Sequence, residues 1–166
     1  MFLVISTTGK ALMKQCEGCR LTPYKDSGGT WTIGWGHVLA VKDKVQGLDQ
    51  TSQGNWTGSI RLSGANQLFE DDCWATETQL NNVLKVGLRE YQFDALGMVA
   101  FNVGVKALED GGLIQQINAT GGNTESLREI APVFLDYCHC QGVILRGLQI
   151  RAILTAARWL NNCYQG

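Results

Sequence analysis

Glu17, Asp26 and Thr32 fall within one short run, CEGCRLTPYKDSGGTWTIGWGH, residues 16 to 37. Two acids and a hydroxyl in a glycine-rich, aromatic-rich segment are what hydrolysis of a glycoside by water requires. One protonated carboxyl donates to the leaving oxygen, and a carboxylate on the other face of the sugar activates or positions a water. Glu17 is expected at the C-terminal end of a helix, where the partial negative charge of the helix and partial burial favour its protonated form. Asp26, in the polar turn Asp26-Ser27-Gly28-Gly29, is expected to be hydrated and ionised. Thr32, on an adjacent strand, can hold the attacking water by its hydroxyl. The plainer alternative makes Asp26 a solvated turn residue.

The elements that would carry these groups follow from local pattern. Ser6 or Thr7 can cap a helix over roughly 7 to 18, with Leu12, Met13 and Cys16 on its apolar stripe and Gly18 near its end. Between Arg20 and Val41 the pieces YKD, TWTIGW and HVLAV, punctuated by glycines, predict a hairpin or a three-stranded sheet. Residues 42 to 60 are polar and weakly periodic, which predicts a long loop or insertion with ragged strands at most. Ser63 can then cap a long helix with a break near Cys73. YQFDALGMVAFNVG has Phe93, Leu96, Val99 and Ala100 at helical spacing. SLREIAPVFLDYCH predicts a helix with Pro132 in its first turn or at a kink, and LQIRAILTAARWLNN predicts an amphipathic closing helix. The expected fold class is α+β, with a small N-terminal β lobe (about 18–60) packed on a larger helical lobe (about 61–166 plus the first helix, 7–18) in one domain of 166 residues.

The run Glu17-Gly18-x-Arg20-Leu21-x-x-Tyr24-x-Asp26, followed by Thr32-Ile33-Gly34-x-Gly36-His37, resembles the signature of phage-type lysozymes, glycoside hydrolase family 24, the T4-type and lambdoid endolysins. Ile5-Ser6-x-x-Gly9 with Leu12 is similar to that family's first helix. Gln92-Phe93-Asp94-Ala95-Leu96 with Ala100-Phe101-Asn102-Val103-Gly104 resembles the central helix of its lambdoid members, and Gly147-Leu148-x-x-Arg151 resembles an element near its end. The resemblance covers roughly 5 to 41 and 60 to 160.

It implies a lysozyme-like fold and an N-acetylmuramidase that cleaves the β-1,4 bond between N-acetylmuramic acid and N-acetylglucosamine in peptidoglycan, with inversion. Glu17 would be the general acid, Asp26 the second carboxylate and Thr32 the water-positioning residue. Val38, Phe101 and Asn102 fall where family members line the sugar cleft. Arg151 falls where the family has an arginine close to the catalytic glutamate. His37 is expected to make a structural ion pair with Asp71 or Asp72, because Leu68-Phe69-x-x-Asp72 resembles the segment that supplies such a partner. No metal or organic cofactor is implied, and a monomer is the expectation.

Several features depart from the family pattern. After Arg151 come Ala152, Ile153 and Leu154, so the arginine cluster of the last helix is thinned. The net charge of −1 gives no pull toward an anionic wall or nucleic acid. The insertion carries Trp56, which either packs it onto its own lobe, the simpler expectation, or stacks on a sugar ring. Six cysteines include Cys16 and Cys19 on either side of Glu17, and Cys138-His139-Cys140 with Cys163. Thiols are expected rather than a zinc site, because C-E-G-C straddles a helix end already explained by the motif. A disulfide that gates Glu17 is the sharper alternative.

The apolar run Phe2 to Ile5 is too short for a signal-peptide core or a membrane span. Synthesis in the cytoplasm is therefore expected, with export to the wall through membrane holes made by another protein, a holin, if the chain lyses a phage host. The same enzyme used as an antibacterial effector or a virion wall drill is a second possibility, and a non-catalytic peptidoglycan-binding module is a third. Retention of both acids and Thr32 argues against the module. A redox protein built on Cys16-x-x-Cys19 lacks the preceding strand that such sites use.

Overall fold

The computed structural model describes residues 2–26, 28–41, 44–140, 143–144 and 146–160, with 138–140, 143–144 and 146–147 described by backbone alone. Ser27, Lys42, Asp43 and Cys163 lie outside the described residues. The chain forms two compact units, Lys14–Asp72 and Met1–Met13 with Cys73–Gly166. The boundaries fall within α1 (Thr7–Glu17) and α2 (Leu62–Val83).

In the unit Lys14–Asp72, β1 (Arg20–Lys25), β2 (Trp31–Gly34) and β3 (His37–Val38) form an antiparallel sheet in that order. Tyr24 faces Thr32, Thr32 faces Val38 and Ile33 faces His37. The β1–β2 register shifts between Arg20 and Tyr24, the stretch that contains Pro23, which has no N–H to give a ladder. The predicted insertion is not a structureless loop: β4 (Leu48–Gln50) and β5 (Trp56–Gly58) pair as a short hairpin. Ile33, Leu39, Trp56, Ile60 and Ala65 form the core of this unit. Trp56 is only 6% exposed, which removes it as a sugar-stacking platform and makes it the residue that seats the hairpin.

The other unit is built on α3 (Glu90–Val103), where every residue from Gln92 to Ala100 is buried. A helix covered on all sides is a central helix, so the spacing of Phe93, Leu96 and Val99 understated its burial. Around it follow α4 (Val105–Asp110), α5 (Leu113–Ala119) and α6 (Thr124–Glu129), which Asn123 caps by accepting from the Glu125 and Ser126 N–H groups. α7 (Arg146–Trp159) packs on α3 and on the 3-10 segment Ala131–Cys138. The short strands β6 (His139–Cys140) and β7 (Val143–Ile144) pair with each other.

Two expected helices differ from expectation. The helix from residue 62 runs unbroken through the fully buried Cys73 to Val83, and Arg61 rather than Ser63 supplies its first carbonyl, to Ala65 N–H at 3.0 Å. No proline or glycine lies near Cys73 to interrupt it. The stretch around Pro132 splits instead: α6 ends at Glu129 and a 3-10 segment starts at Ala131, with Pro132 in its first turn. Proline disfavours the helical conformation of the residue before it and donates no N–H, so α6 cannot continue through it.

Candidate active site

Glu17 is the last residue of α1, and the chain reverses at Gly18, whose φ of 68° is left-handed, to enter β1 two residues later. The Gly18 N–H closes the helix on the Lys14 carbonyl at 3.1 Å. A side chain at position 18 would meet nothing within 4 Å, so the demand for glycine is conformational. Glu17 is half-buried. The start of α1 is set by Ser6, whose hydroxyl accepts from the Gly9 N–H at 3.1 Å.

Asp26 follows β1 directly and is exposed. Its Oδ1 accepts from the N–H groups of Gly28 at 2.9 Å and Thr30 at 2.8 Å, while its own N–H donates to the Thr30 carbonyl at 2.9 Å. The turn thus fixes the carboxyl group against its own backbone. Thr32 is 3% exposed and its hydroxyl donates to the Thr30 carbonyl at 3.0 Å. Its proton is committed to the chain, so toward a water this hydroxyl would serve as acceptor.

Tyr24 lies on β1 between Glu17 and Asp26 in the chain. It sits across the ladder from Thr32, with the Arg20 guanidinium 4.5 Å over its ring. Burial pushes the Tyr24 phenol above its ordinary value, Arg20 pulls the other way, and the charges of Glu17, Asp26 and Cys19 add to the rise. Both carboxylates therefore act on this one phenol. Behind the end of α1, Lys14 lies over the rings of Phe69 at 4.7 Å and Trp35 at 5.4 Å. Lys14 Nζ and Trp35 Nε1 both donate to Asn66 Oδ1, at 3.0 and 2.9 Å. This clamp joins the last turn of α1 to the β2–β3 turn and to α2, one turn of helix before Glu17.

His37 Nδ1 lies 2.9 Å from Asp72 Oδ2 and 3.1 Å from Oδ1. Asp71 instead accepts from Gln67 at 2.9 Å. Val38 is exposed on β3. Glu17, Asp26, Thr32, Val38, His37 and Asp72 thus all belong to the unit Lys14–Asp72. Phe101, Asn102 and Arg151 belong to the other unit, on α3 and α7, with Phe101 and Arg151 half-buried and Asn102 exposed.

Cys16, Cys19 and Cys73 are present as thiols. Burial pushes the Cys19 thiol up, and Lys14 opposes this. Among the described residues, no group of three or more His, Cys, Asp or Glu could hold a metal ion; the side chains of Cys138, His139 and Cys140 are outside that description.

Sequence reasoning passed over Tyr24, Lys14 and Asn66, although Tyr24 stood inside the motif and Lys14 is three residues, one helical turn, before Glu17. Ser6 and Gly9, in the first-helix motif, meet Asp94 of the central helix, a junction that motif spacing does not encode. Asp94 is wholly buried and accepts from Ser6 N–H at 2.7 Å, Ser6 Oγ at 2.6 Å and Arg158 Nε at 3.1 Å.

One unit with a small antiparallel β-sheet and a carboxylate-bearing helix end, and a second built on a central helix, make an α+β fold of lysozyme type. The same fold is seen in the endolysin from Escherichia coli O157:H7 phage FAHEc1, with a TM-score of 0.75 over 100% of this chain and 99% of that one at 24% identity. Residues 14–152 match phage lysozyme, and the chain belongs to that family. It is similar to the endolysin of Salmonella phage P22, 32% identical over 114 residues (69% of this chain, 73% of the relative). It is similar also to the endolysin of Acyrthosiphon pisum secondary endosymbiont phage 1, 29% identical over 127 residues (75% and 78%).

Proposed function

We propose that this muramidase, by family a hydrolase of peptidoglycan, cleaves the β-1,4 bond between N-acetylmuramic acid and N-acetylglucosamine with Glu17 as general acid, Asp26 as second carboxylate and Thr32 as acceptor for the attacking water. The observation that carries this is the placement of the three groups within one unit: Glu17 as the last residue of α1, Asp26 held by its turn at the end of β1, and the buried Thr32 on β2, the strand paired with β1. The two acids have the different surroundings that divided roles need: one is half-buried at a helix end, the other is exposed in a turn. Water held at Thr32 would attack from the face opposite the leaving oxygen, which inverts the anomeric carbon. Val38, Phe101 and Asn102 are assigned to sugar contacts, and Arg151 and the His37–Asp72 pair to support of the fold and site, on the family resemblance.

Within the family, the resemblance of Gln92-Phe93-Asp94-Ala95-Leu96 with Ala100-Phe101-Asn102-Val103-Gly104 to the central helix of the lambdoid members of glycoside hydrolase family 24 supports placing the chain with them. The role this reading gives the chain is lysis of a phage host, as a monomer that reaches the wall through holes made by a separate membrane protein. No described helix is long and apolar enough to cross a membrane.

Release of reducing ends from purified peptidoglycan, wild type beside Glu17→Gln, tests the assignment. The variant is expected to lose roughly a hundredfold to ten-thousandfold in kcat, the usual contribution of a general acid. An α-configured first product, read by NMR, is expected for inversion. Wild-type protein that binds sacculi and releases no reducing ends would replace this assignment with a wall-binding module.

A further inference from the structure

Within the unit Lys14–Asp72 is a cavity of about 540 Å³ bounded by the segment before β4, the residues after β5 and the first turns of α2. It is not lined by Glu17, Asp26 or Thr32. Its lining has two cations, Lys44 and Arg61, and among the described residues no acidic side chain. Neither cation forms an ion pair with another described residue, in contrast to Lys106 with Asp110 or Arg158 with Asp94. Asp49 lines a shallower neighbouring depression that shares Lys44.

The backbone at the edge of this cavity is closely packed. Gly47 and Gly58 are both left-handed, φ 90° and 96°, and a Cβ on either would strike the facing backbone, the Ser59 carbonyl for Gly47 and the Gly47 carbonyl for Gly58. The Ser59 N–H donates to the Gly47 carbonyl at 3.0 Å. Ser63 and Gln67 add polar groups from α2, and Ile60 and Leu68 add apolar surface.

A recess with two cations, no acid among the described residues, and mixed polar and apolar walls suits a short anionic peptide with small side chains. Peptidoglycan carries such peptides: they hang from the lactyl group of muramic acid and hold free carboxylates beside alanine methyls. We infer that the Lys44–Arg61 cavity is a second contact for the wall, binding the acidic stem peptide of peptidoglycan. This rests on the peptidoglycan reading above. It gives a chain of net charge −1 a local grip on an anionic polymer that its overall charge does not provide.

The test compares wild type with the Lys44→Ala/Arg61→Ala double variant on two substrates free of wall phosphate polymers: peptide-bearing strands and strands stripped of peptide by an amidase. On peptide-bearing strands, KM is expected to rise about tenfold in the variant with kcat unchanged, the sum of two partly solvated charge contacts. On stripped strands the two proteins are expected to have the same KM. Equal losses on both substrates, or no loss on either, would overturn the inference. Titration of the Glu17→Gln protein with a synthetic acidic stem peptide, followed by the amide NMR signals of Gly47 and Ser63, decides it independently of catalysis. Movement of those signals is expected, and still movement without the peptide's carboxylates would refute the charge assignment. A wild type with no activity on either strand would instead strike down the catalytic assignment, leaving the peptide titration to judge the cavity. Response of the same signals to inorganic phosphate but not to the peptide would assign the cavity to a phosphate polymer and reject the stem peptide.

Discussion

Arg158 holds Asp94 from 64 positions further along the chain, its guanidinium 2.5 Å from Oδ2 of a carboxylate with no exposure at all. The other oxygen takes the Ser6 N–H, so one buried acid anchors the start of α1, the middle of α3 and the end of α7. Removing Asp94 by Asp94→Ala leaves a nearly buried guanidinium with only the long, 4.0 Å pair to the exposed Glu90, and a backbone donor unsatisfied. A loss of about 3–5 kcal/mol in urea unfolding is expected, the cost of breaking a buried pair from one side.

Gly9→Ala tests the same junction from its steric side. In an exposed helix the change would stabilise by about 1 kcal/mol. Here an added Cβ would stand 2.6 Å from the Asp94 carboxyl carbon, so the sign is expected to reverse, to a loss of about 1–3 kcal/mol. A thermal melt of the variant above that of the wild type would contradict the packing described.

Tyr24 reports on the placement of the two acids. Its raised phenol means the folded state holds this proton more tightly than the unfolded chain. The resulting stability is full below the ordinary tyrosine value, about pH 10, and is lost as pH rises through the raised folded value. Ultraviolet titration at alkaline pH should place Tyr24 above 10 in the wild type and move it down in both Glu17→Gln and Asp26→Asn, because each removes a charge that raises it. Burial, the larger cause, persists in both variants. No movement in either would separate the acids from Tyr24.

Cys19 is a poor candidate for a redox gate. Burial raises its thiol, so little thiolate is available for oxidation or alkylation at neutral pH. Alkylation slower than that of a free cysteine is expected at pH 7, with Cys19→Ser keeping activity within about twofold, and Lys14→Met slowing alkylation further by removing the opposing charge. Activity that rises or falls sharply with reductant would restore the gate.

Trp56→Ala should act through stability. The indole is buried with Ile33, Leu39 and Ile60, and its removal is expected to cost about 3–5 kcal/mol. The more conservative Trp56→Phe should leave KM on peptidoglycan unchanged, whereas a sugar platform would show in KM.

What the sequence determined by itself was local or carried by a motif: the helix end at Glu17 with its reversal at Gly18, the turn that seats Asp26, the strand that bears Thr32, and the α+β class. Each depends on residues within a few positions, where spacing and φ preference decide conformation. The tertiary structure decided which distant residues meet. Trp56 had two readings until the β4–β5 hairpin folded its indole into the core. His37 had two acids in reach until α2 turned Asp72 toward it and left Asp71 to Gln67. Ser6 and Asp94 stood in separate motifs with nothing to join them to each other or to Arg158, and Lys44 and Arg61 were two ordinary cations. Only the closed chain sets such groups side by side, because burial and electrostatic pairing depend on distance in space, and sequence separation does not encode it.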